Sequence, residues 1–388
     1  EVVDAGDADA TPGSPESPGA PGVRRIVLVG GGDPLLTREP VAPEQQPSRY
    51  GASASLRALA DATATALREA GHLQVELSYD ATLFTGPAIN PAWPASYVPD
   101  DVVAPISALT SERGYDDDGD PVDDPAAAAA TWFAGALAEA GITVVAAPAT
   151  GLAGNSPLLA SVESAPVGGI VERLLAVSDN ETTEILAHHV GLEVEGSGSF
   201  EGGVAGVRRV LGDLGVDLGA DVIRDGSGLS RENLLSTTTL VDVLALAASS
   251  EHPALRHALT GLPVAGFTGS LTNRFTTADP AGLGDVRAKT GTLTGVQGLA
   301  GIVQDATGAP LLFVVVADAV GETDALDGRE AIDRTAAALA ACVCTTGAAS
   351  PDQPTDQPTD QPTEAPTSPP VTTGSSTGAT GRDVLSPA

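Results

Sequence analysis

Apolar and polar positions alternate between two periods along the chain, and the switches mark its elements. From Arg24 the run Ile26-Val27-Leu28-Val29 predicts a strand that stops at Gly30-Gly31-Gly32-Asp33-Pro34. Leu56, Leu59, Ala60 and Leu67 recur at helical spacing within 52–71, and Gly71 ends the run. Val75 to Tyr79 returns to strand. After an irregular, proline-punctuated stretch over 84–124, Pro125 opens a helix to Ala140, with Gly141 as its stop and 142–146 as a further strand. This is α/β alternation in a unit that ends near Ser161.

The pattern then changes. Helices are predicted over 167–175 and 182–190, flanking Ser178-Asp179-Asn180, and again over 203–214 and 237–250. Three apolar segments, 285–292, 297–304 and 311–317, follow across short turns, so an antiparallel meander is expected, closed by a helix over 325–341. Helices first and strands after reads as α+β. The expected divisions are 1–22, 23–161, 162–345 and 346–388. The first, made of Gly, Pro, Ala, Asp and Glu, lacks the apolar side chains that would offset the cost of ordering, so disorder is expected. In the last, Asp352-Gln353-Pro354-Thr355 is repeated twice more before a Pro/Thr/Ser/Gly stretch, the composition of an extended, disordered tail.

Composition narrows the function. A net charge of −32, from 51 acidic and 19 basic side chains, disfavours nucleic acid and anionic membrane as partners. No run reaches the roughly 18 continuous apolar residues of a transmembrane segment. The sequence has no methionine and starts at Glu1, so a processed chain or part of a longer product is expected. Cys342 and Cys344 are two positions apart; the favoured reading is thiols packed under the terminal helix. A disulfide between them closes a very tight ring, and a cysteine upstream of residue 1 is the other conceivable partner.

Two motifs carry the chemistry. Ser178-Asp179-Asn180 sits in a loop between predicted helices, and Lys289-Thr290-Gly291, followed by Thr292, lies 111 positions later on the first strand of the meander. Their order and placement match two of the three signatures of penicillin-recognising serine enzymes. The flanking text agrees: Gly30 to Pro34, Val103 to Leu109, Val162 to Val167 and Asp225 to Arg231. Over roughly 24–345 the chain resembles the class C low-molecular-weight penicillin-binding proteins, the DacB-type D-Ala-D-Ala carboxypeptidases of peptidase family S13.

That resemblance implies an α+β transpeptidase/β-lactamase-like domain with an inserted α/β domain, most of it within 24–161. It implies an extracytoplasmic serine carboxypeptidase, with endopeptidase action as a further option. The substrate would be peptidoglycan stem peptides ending in D-Ala-D-Ala, with β-lactams as inhibitors and no cofactor or metal. Lys289 would supply a positive field for the terminal carboxylate, and the Thr290 and Thr292 hydroxyls would donate to it. Gly291 would leave the strand edge bare for an extended peptide. The Thr292 N–H would form half of an oxyanion hole. Ser178 would relay a proton to the leaving nitrogen, Asn180 would hold the substrate amide and orient a second lysine, and Asp179 would stabilise the loop. The third signature, Ser-x-x-Lys, needs that second lysine, and Lys289 is the only lysine in the sequence. The nucleophile and its lysine are therefore absent from this chain, and the resemblance places them before residue 1. The alternative function is a catalytically dead relic that binds peptidoglycan peptides.

Competing patterns are weaker. The glycine run lacks the Gly-Lys-Ser/Thr of a phosphate loop. Ser227 between two glycines reads as a structural turn, and Asp116, Asp118 and Asp120 read as a solvated loop without the closing glutamate of a calcium site. Histidines 72, 188, 189, 252 and 257 show no metal spacing. A class A β-lactamase would share both motifs. It would lack the large unit before Ser178 and would carry a deacylating glutamate motif between them, which is not recognisable here.

Overall fold

The computed structural model describes residues 1–7, 22–42, 50–275 and 280–344. The first sheet comprises β1 (Val2–Asp7), β2 (Arg24–Val29), β3 (Gln74–Asp80), β4 (Thr143–Val144), β5 (Ala149–Thr150) and β6 (Leu158–Ala160). Its order is β4-β3-β2-β1-β6, with β5 also pairing β3. β2 and β3 run parallel, with Ile26 opposite Leu77, and α1 (Leu56–Glu69) makes the crossover between them. Ser55 starts α1 by accepting from the Ala58 N–H, and the helix turns Leu56, Leu59, Ala60, Ala64 and Leu67 inward. Asp124 caps α2 (Pro125–Glu139) in the same way, with Pro125 in the first turn, where a missing N–H costs nothing. α2 buries Phe133 against β2, β3 and α1 in the larger core of the molecule.

Two expectations are corrected by the structure. Composition predicts disorder over 1–22, yet Val2–Asp7 forms β1, antiparallel to both β2 and β6. Val2 is fully buried and Val3 nearly so, and Arg24 closes a 2.7 Å ion pair on Asp4. Two apolar side chains and a strand partner at Val27–Leu28 outweigh the polar composition that follows; residues 8–21 lie outside the described residues. Spacing favours free thiols at Cys342 and Cys344, yet the two are joined as a disulfide. The backbone leaves its helix at Cys342 (φ −79°, ψ 159°), which brings the two Cα atoms to 5.3 Å, within disulfide reach. The expected Pro/Thr-rich tail, 346–388, also lies outside the described residues.

The second half follows the predicted order. α3 (Val167–Val177) and α4 (Asn180–Glu195) meet at Ser178, and α5 (Phe200–Asp213) packs its Gly203 and Gly206 against the α4 backbone at Ala187 and Val190. α6 (Thr237–Ala248) and the short α7 (His257–Thr260) lead to the second sheet. β7 (Val286–Leu293), β8 (Val296–Gln304) and β9 (Pro310–Ala317) form the antiparallel meander, and α8 (Ala325–Ala341) covers one face. Its core joins Val286, Ala288, Leu299, Val303 and Phe313 to Ile332, Ala336 and Ala337. Arg274 pairs with the buried Asp333 at 2.6 Å, so the carboxylate on that helix face is neutralised where it is desolvated.

Gly301 on β8 shows how tight this sheet is. A Cβ there would lie 2.0 Å from the Arg287 carbonyl oxygen and 2.6 Å from the Ala288 Cα, both backbone atoms. Gly301→Ala is therefore expected to cost about 3 kcal/mol or more, by forced separation of β7 and β8. Chemical denaturation of the two chains measures this, and an unchanged midpoint would contradict it.

Candidate active site

Ser178 is held at the junction of two helices. It is the residue that ends α3, with a left-handed backbone at φ 60° and ψ 54°, and it is exposed. That conformation is costly for a non-glycine residue, so its neighbours must enforce it. Asp179 does so. Its Oδ1 accepts from the Thr182 N–H at 2.9 Å, capping α4, and its Oδ2 accepts from Arg173 Nη1 of α3 at 2.8 Å. The carboxylate is buried and ties both helices to the turn, the loop-stabilising role that the resemblance implies for it.

The stretch 84–124 grips the same turn. Asn180 Nδ2 donates to the Val102 carbonyl at 3.0 Å. Glu181 Oε1 accepts from the Tyr115 hydroxyl at 2.7 Å and the Ala104 N–H at 3.0 Å. Burial first, and the nearby Asp179 charge after it, push the Glu181 carboxyl above its usual range, although those hydrogen bonds oppose the shift. Arg113 Nη1 stands 3.7–3.8 Å from both carboxylates. The irregular stretch 84–124 thus fastens the Ser178 loop to the first sheet.

Lys289 comes from β7 on the opposite side of the cleft. Its Nζ donates to Ser178 Oγ at 2.7 Å and to the Thr290 carbonyl at 2.7 Å. Among the described residues it makes no ion pair with a carboxylate, and burial lowers its pKa from 10.5 to about 8. The two motifs, 111 positions apart, therefore share one hydrogen bond. The Thr290 hydroxyl lies 3.0 Å from Ser270 Oγ, and the Thr292 hydroxyl is 3.5 Å from Gln297 Oε1.

β7 is an edge strand, and its edge is only partly covered. Ala265 N donates to the Val286 carbonyl at 2.9 Å, and Ala288 N donates to the Pro263 carbonyl at 3.0 Å, so residues 286 and 288 direct their backbone groups away from β8. The two-residue repeat of a strand gives Thr290 and Thr292 the same outward direction. Among the described residues, no backbone partner beyond β8 meets them. Gly291 faces Gly298 across the ladder, and a Cβ added at 291 would find nothing nearer than that Gly298 Cα at 3.9 Å. The packing of the fold itself does not require glycine there.

A second layer joins the flanking run Asp225 to Arg231 to Glu184, a residue that no motif contains. Glu184, one turn into α4 and 1% exposed, accepts from the Gly226 N–H (3.1 Å) and Ser227 N–H (2.7 Å). Burial, with the like charge of Asp225 behind it, raises its pKa to about 7 against those hydrogen bonds. Asp225 accepts from Trp93 Nε1 at 2.8 Å, Ser230 N at 2.6 Å and Asn233 Nδ2 at 2.7 Å. Arg231 then donates to the Thr294 carbonyl just beyond the Lys-Thr-Gly-Thr run. The loop 225–231 therefore fixes α4, Trp93 of the stretch 84–124 and the β7–β8 turn to one another. Gly226 is the available signal, since a Cβ there would lie 2.8 Å from the Ala187 Cβ of α4.

The other candidates are structural. His188 packs between Phe84 and Phe200, and His189 Nε2 contacts the Gly32 carbonyl at 2.9 Å. Asp116 Oδ1 accepts from the N–H groups of Asp118 and Asp120, closing a solvated turn. Among the described residues, no group of three or more His, Cys, Asp or Glu could hold a metal ion, and no helix is long and apolar enough to cross a membrane.

Comparison with known proteins identifies the family and the fold. The family model described as D-Ala-D-Ala carboxypeptidase 3 (S13) matches residues 16–117 and 120–339. "Carboxypeptidase DacB" of Mycolicibacterium smegmatis is 34% identical over 325 residues, 82% of this chain and 68% of that protein. A D-alanyl-D-alanine carboxypeptidase of Actinomadura sp. is 37% identical over 224 residues, 55% of this chain and 38% of its own length. Among solved structures, penicillin binding protein 4 (dacB) of Haemophilus influenzae superposes with a TM-score of 0.64 at 20% identity, covering 82% of this chain and 80% of that one. The same protein bound to a β-lactam gives 0.64 over 87% and 84%. The fold is thus the α+β penicillin-binding one that the two motifs implied, and the chain belongs to the D-Ala-D-Ala carboxypeptidase 3 (S13) family.

Proposed function

We propose that this chain carries the substrate-holding half of an extracytoplasmic serine-type D-Ala-D-Ala carboxypeptidase site, which binds peptidoglycan stem peptides and β-lactams. The observation that carries the reading is the Lys289–Ser178 hydrogen bond beside an open strand edge. An extended peptide adds to β7 at Thr290 and Thr292, the bare Gly291 lets its backbone approach, and its terminal carboxylate lies in the field of Lys289. The Thr292 N–H faces the position where an oxyanion would develop. Once a nucleophile completes the site, Ser178, already bonded to an ammonium, would pass a proton toward the departing D-alanine nitrogen. Asn180 gives one amide hydrogen to Val102 and keeps its carbonyl for the substrate side of the cleft. On this reading residues 23–161 are an accessory α/β domain and 162–345 belong to the catalytic domain.

Acylation needs a nucleophilic serine and a lysine one helical turn away, and this sequence has one lysine, already bound to Ser178. The chain as it stands binds the peptide without forming an acyl-serine. The second reading, a binder with no chemistry of its own, rests on that same lysine count.

Three outcomes are expected. Fluorescent penicillin leaves no covalent band on the 388-residue chain in a denaturing gel, whereas a version preceded by a Ser-x-x-Lys segment is labelled; a band on the unextended chain would overturn the assignment. Binding of an acetylated tripeptide ending in D-Ala-D-Ala weakens as pH rises through about 8, because Lys289 then loses the charge that faces the carboxylate. Calorimetric titration from pH 6 to 9.5 checks this, and a flat profile contradicts it. Gly291→Ala leaves the melting temperature within about 2 °C while weakening that peptide at least about tenfold, since the added methyl projects into open space in the free protein only.

A further inference from the structure

Resting on the reading of β7's edge as the peptide site, we infer that the segment Pro263–Leu271 is an end wall that restricts the site to peptides finishing in a free carboxylate, and that Ser270 is its specificity-determining residue.

The wall is built from backbone. Pro263 and Ala265 occupy the outer edge of β7 opposite 286–288, so the open edge begins only at Lys289. Val264 N donates to Thr268 Oγ1 at 2.9 Å, and Thr268 N returns to the Val264 carbonyl, closing a compact turn. Ala265 and Leu271 are fully buried in the second core and anchor both ends. Gly269 takes φ +57°, and a Cβ there would lie 2.2 Å from the carbonyl oxygen of Ala176, in the last turn of α3 just before Ser178. The segment is therefore wedged between the strand that carries Lys289 and the helix that delivers Ser178. It closes the cleft at the end where the positive charge sits.

Direction follows from the donors. Lys289 Nζ holds the Thr290 carbonyl and Ser270 meets the Thr290 hydroxyl, so both donors bracket Thr290 at the closed end, whereas the edge continues freely only toward Thr292. An anionic terminus belongs at the closed end, with the rest of the peptide leaving past Thr292. The Ser270 and Thr290 hydroxyls, 3.0 Å apart, now satisfy each other, and both are able to turn to a carboxylate. A residue appended after that carboxylate would meet Gly269 and Ser270, whose backbone cannot retreat because Ala176 stands behind it.

The test is binding, which needs no nucleophile. Using the full chain, the affinity of diacetyl-lysyl-D-alanyl-D-alanine is compared with those of its C-terminal amide and of the same peptide with one glycine appended. The amide and the extended peptide are expected to bind at least about tenfold more weakly. Ser270→Ala weakens the free acid about fivefold to tenfold while changing the amide less than about twofold, and Ser270→Thr restores the free acid. Melting temperatures show that each variant is folded. An extended peptide that binds within twofold of the free acid removes the wall while leaving the peptide site intact. An equal loss for acid and amide in Ser270→Ala removes the role of Ser270. Failure of all three peptides to bind the unaltered chain overturns the peptide site itself, and the wall with it.

Discussion

An ammonium group that leaves water without a carboxylate to meet it must be held by something else, and the second half of this molecule is arranged around that constraint. Lys289 is held by a serine hydroxyl and its neighbour's carbonyl, and burial takes it well below the usual lysine range. A carboxylate in the same place would bind the lysine more strongly and would also cancel the field that a ligand's carboxylate needs. The acids nearest to Ser178 are instead engaged elsewhere. Asp179 is committed to Arg173 and the α4 cap, and Glu181 to Tyr115 and Ala104.

The stretch 84–124 meets the second half of the chain at this point through polar contacts. Val102, Ala104 and Tyr115 hold the α4 N-terminus, Trp93 holds Asp225, and Asn90 Nδ2 donates to the Arg224 carbonyl at 3.0 Å. Apolar packing thickens the joint, with Trp93, Val103, Ile106, Ile185, Phe200 and Leu229 in one cluster that Leu293 touches from the end of β7. Buried hydrogen bonds of this kind fix geometry more than they add stability, because an unmade one is costly and a made one contributes little. The left-handed backbone at Ser178 is the result: a single residue kept in an unfavourable conformation by partners from three separate stretches of chain.

The elements and both motifs are legible because they are local. Strand and helix periods, the Ser55 and Asp124 caps, and the glycine stops lie within a few residues of what they specify. The pairing of Ser178 with Lys289 can be read only through resemblance, since nothing in 111 intervening positions encodes their distance. Glu184 is illegible for a physical reason. It lies on a helix where four of the buried positions, Glu181, Thr182, Glu184 and His188, are polar and only Ile185 is a large apolar side chain, so a hydrophobic pattern gives it little signal. Ser270 is hidden as well, because its importance comes from its neighbours in space, Thr290 beside it and Ala176 behind Gly269. Strand β1 escapes the pattern because two valines are a weak signal until Leu28 and Ala160 supply their neighbours.

The bare edge of β7 also bears on the behaviour of many molecules together. An uncovered strand edge is a template for any strand, including one from another copy, and β9 leaves a second edge of Leu, Phe and Val unpaired among the described residues. Strand β7 carries neither proline nor a bulge, the usual protections. The net charge of −32 supplies a different protection, since copies repel one another before their edges can meet. Salt screens that repulsion over about 8–10 Å, so association through these edges depends on ionic strength.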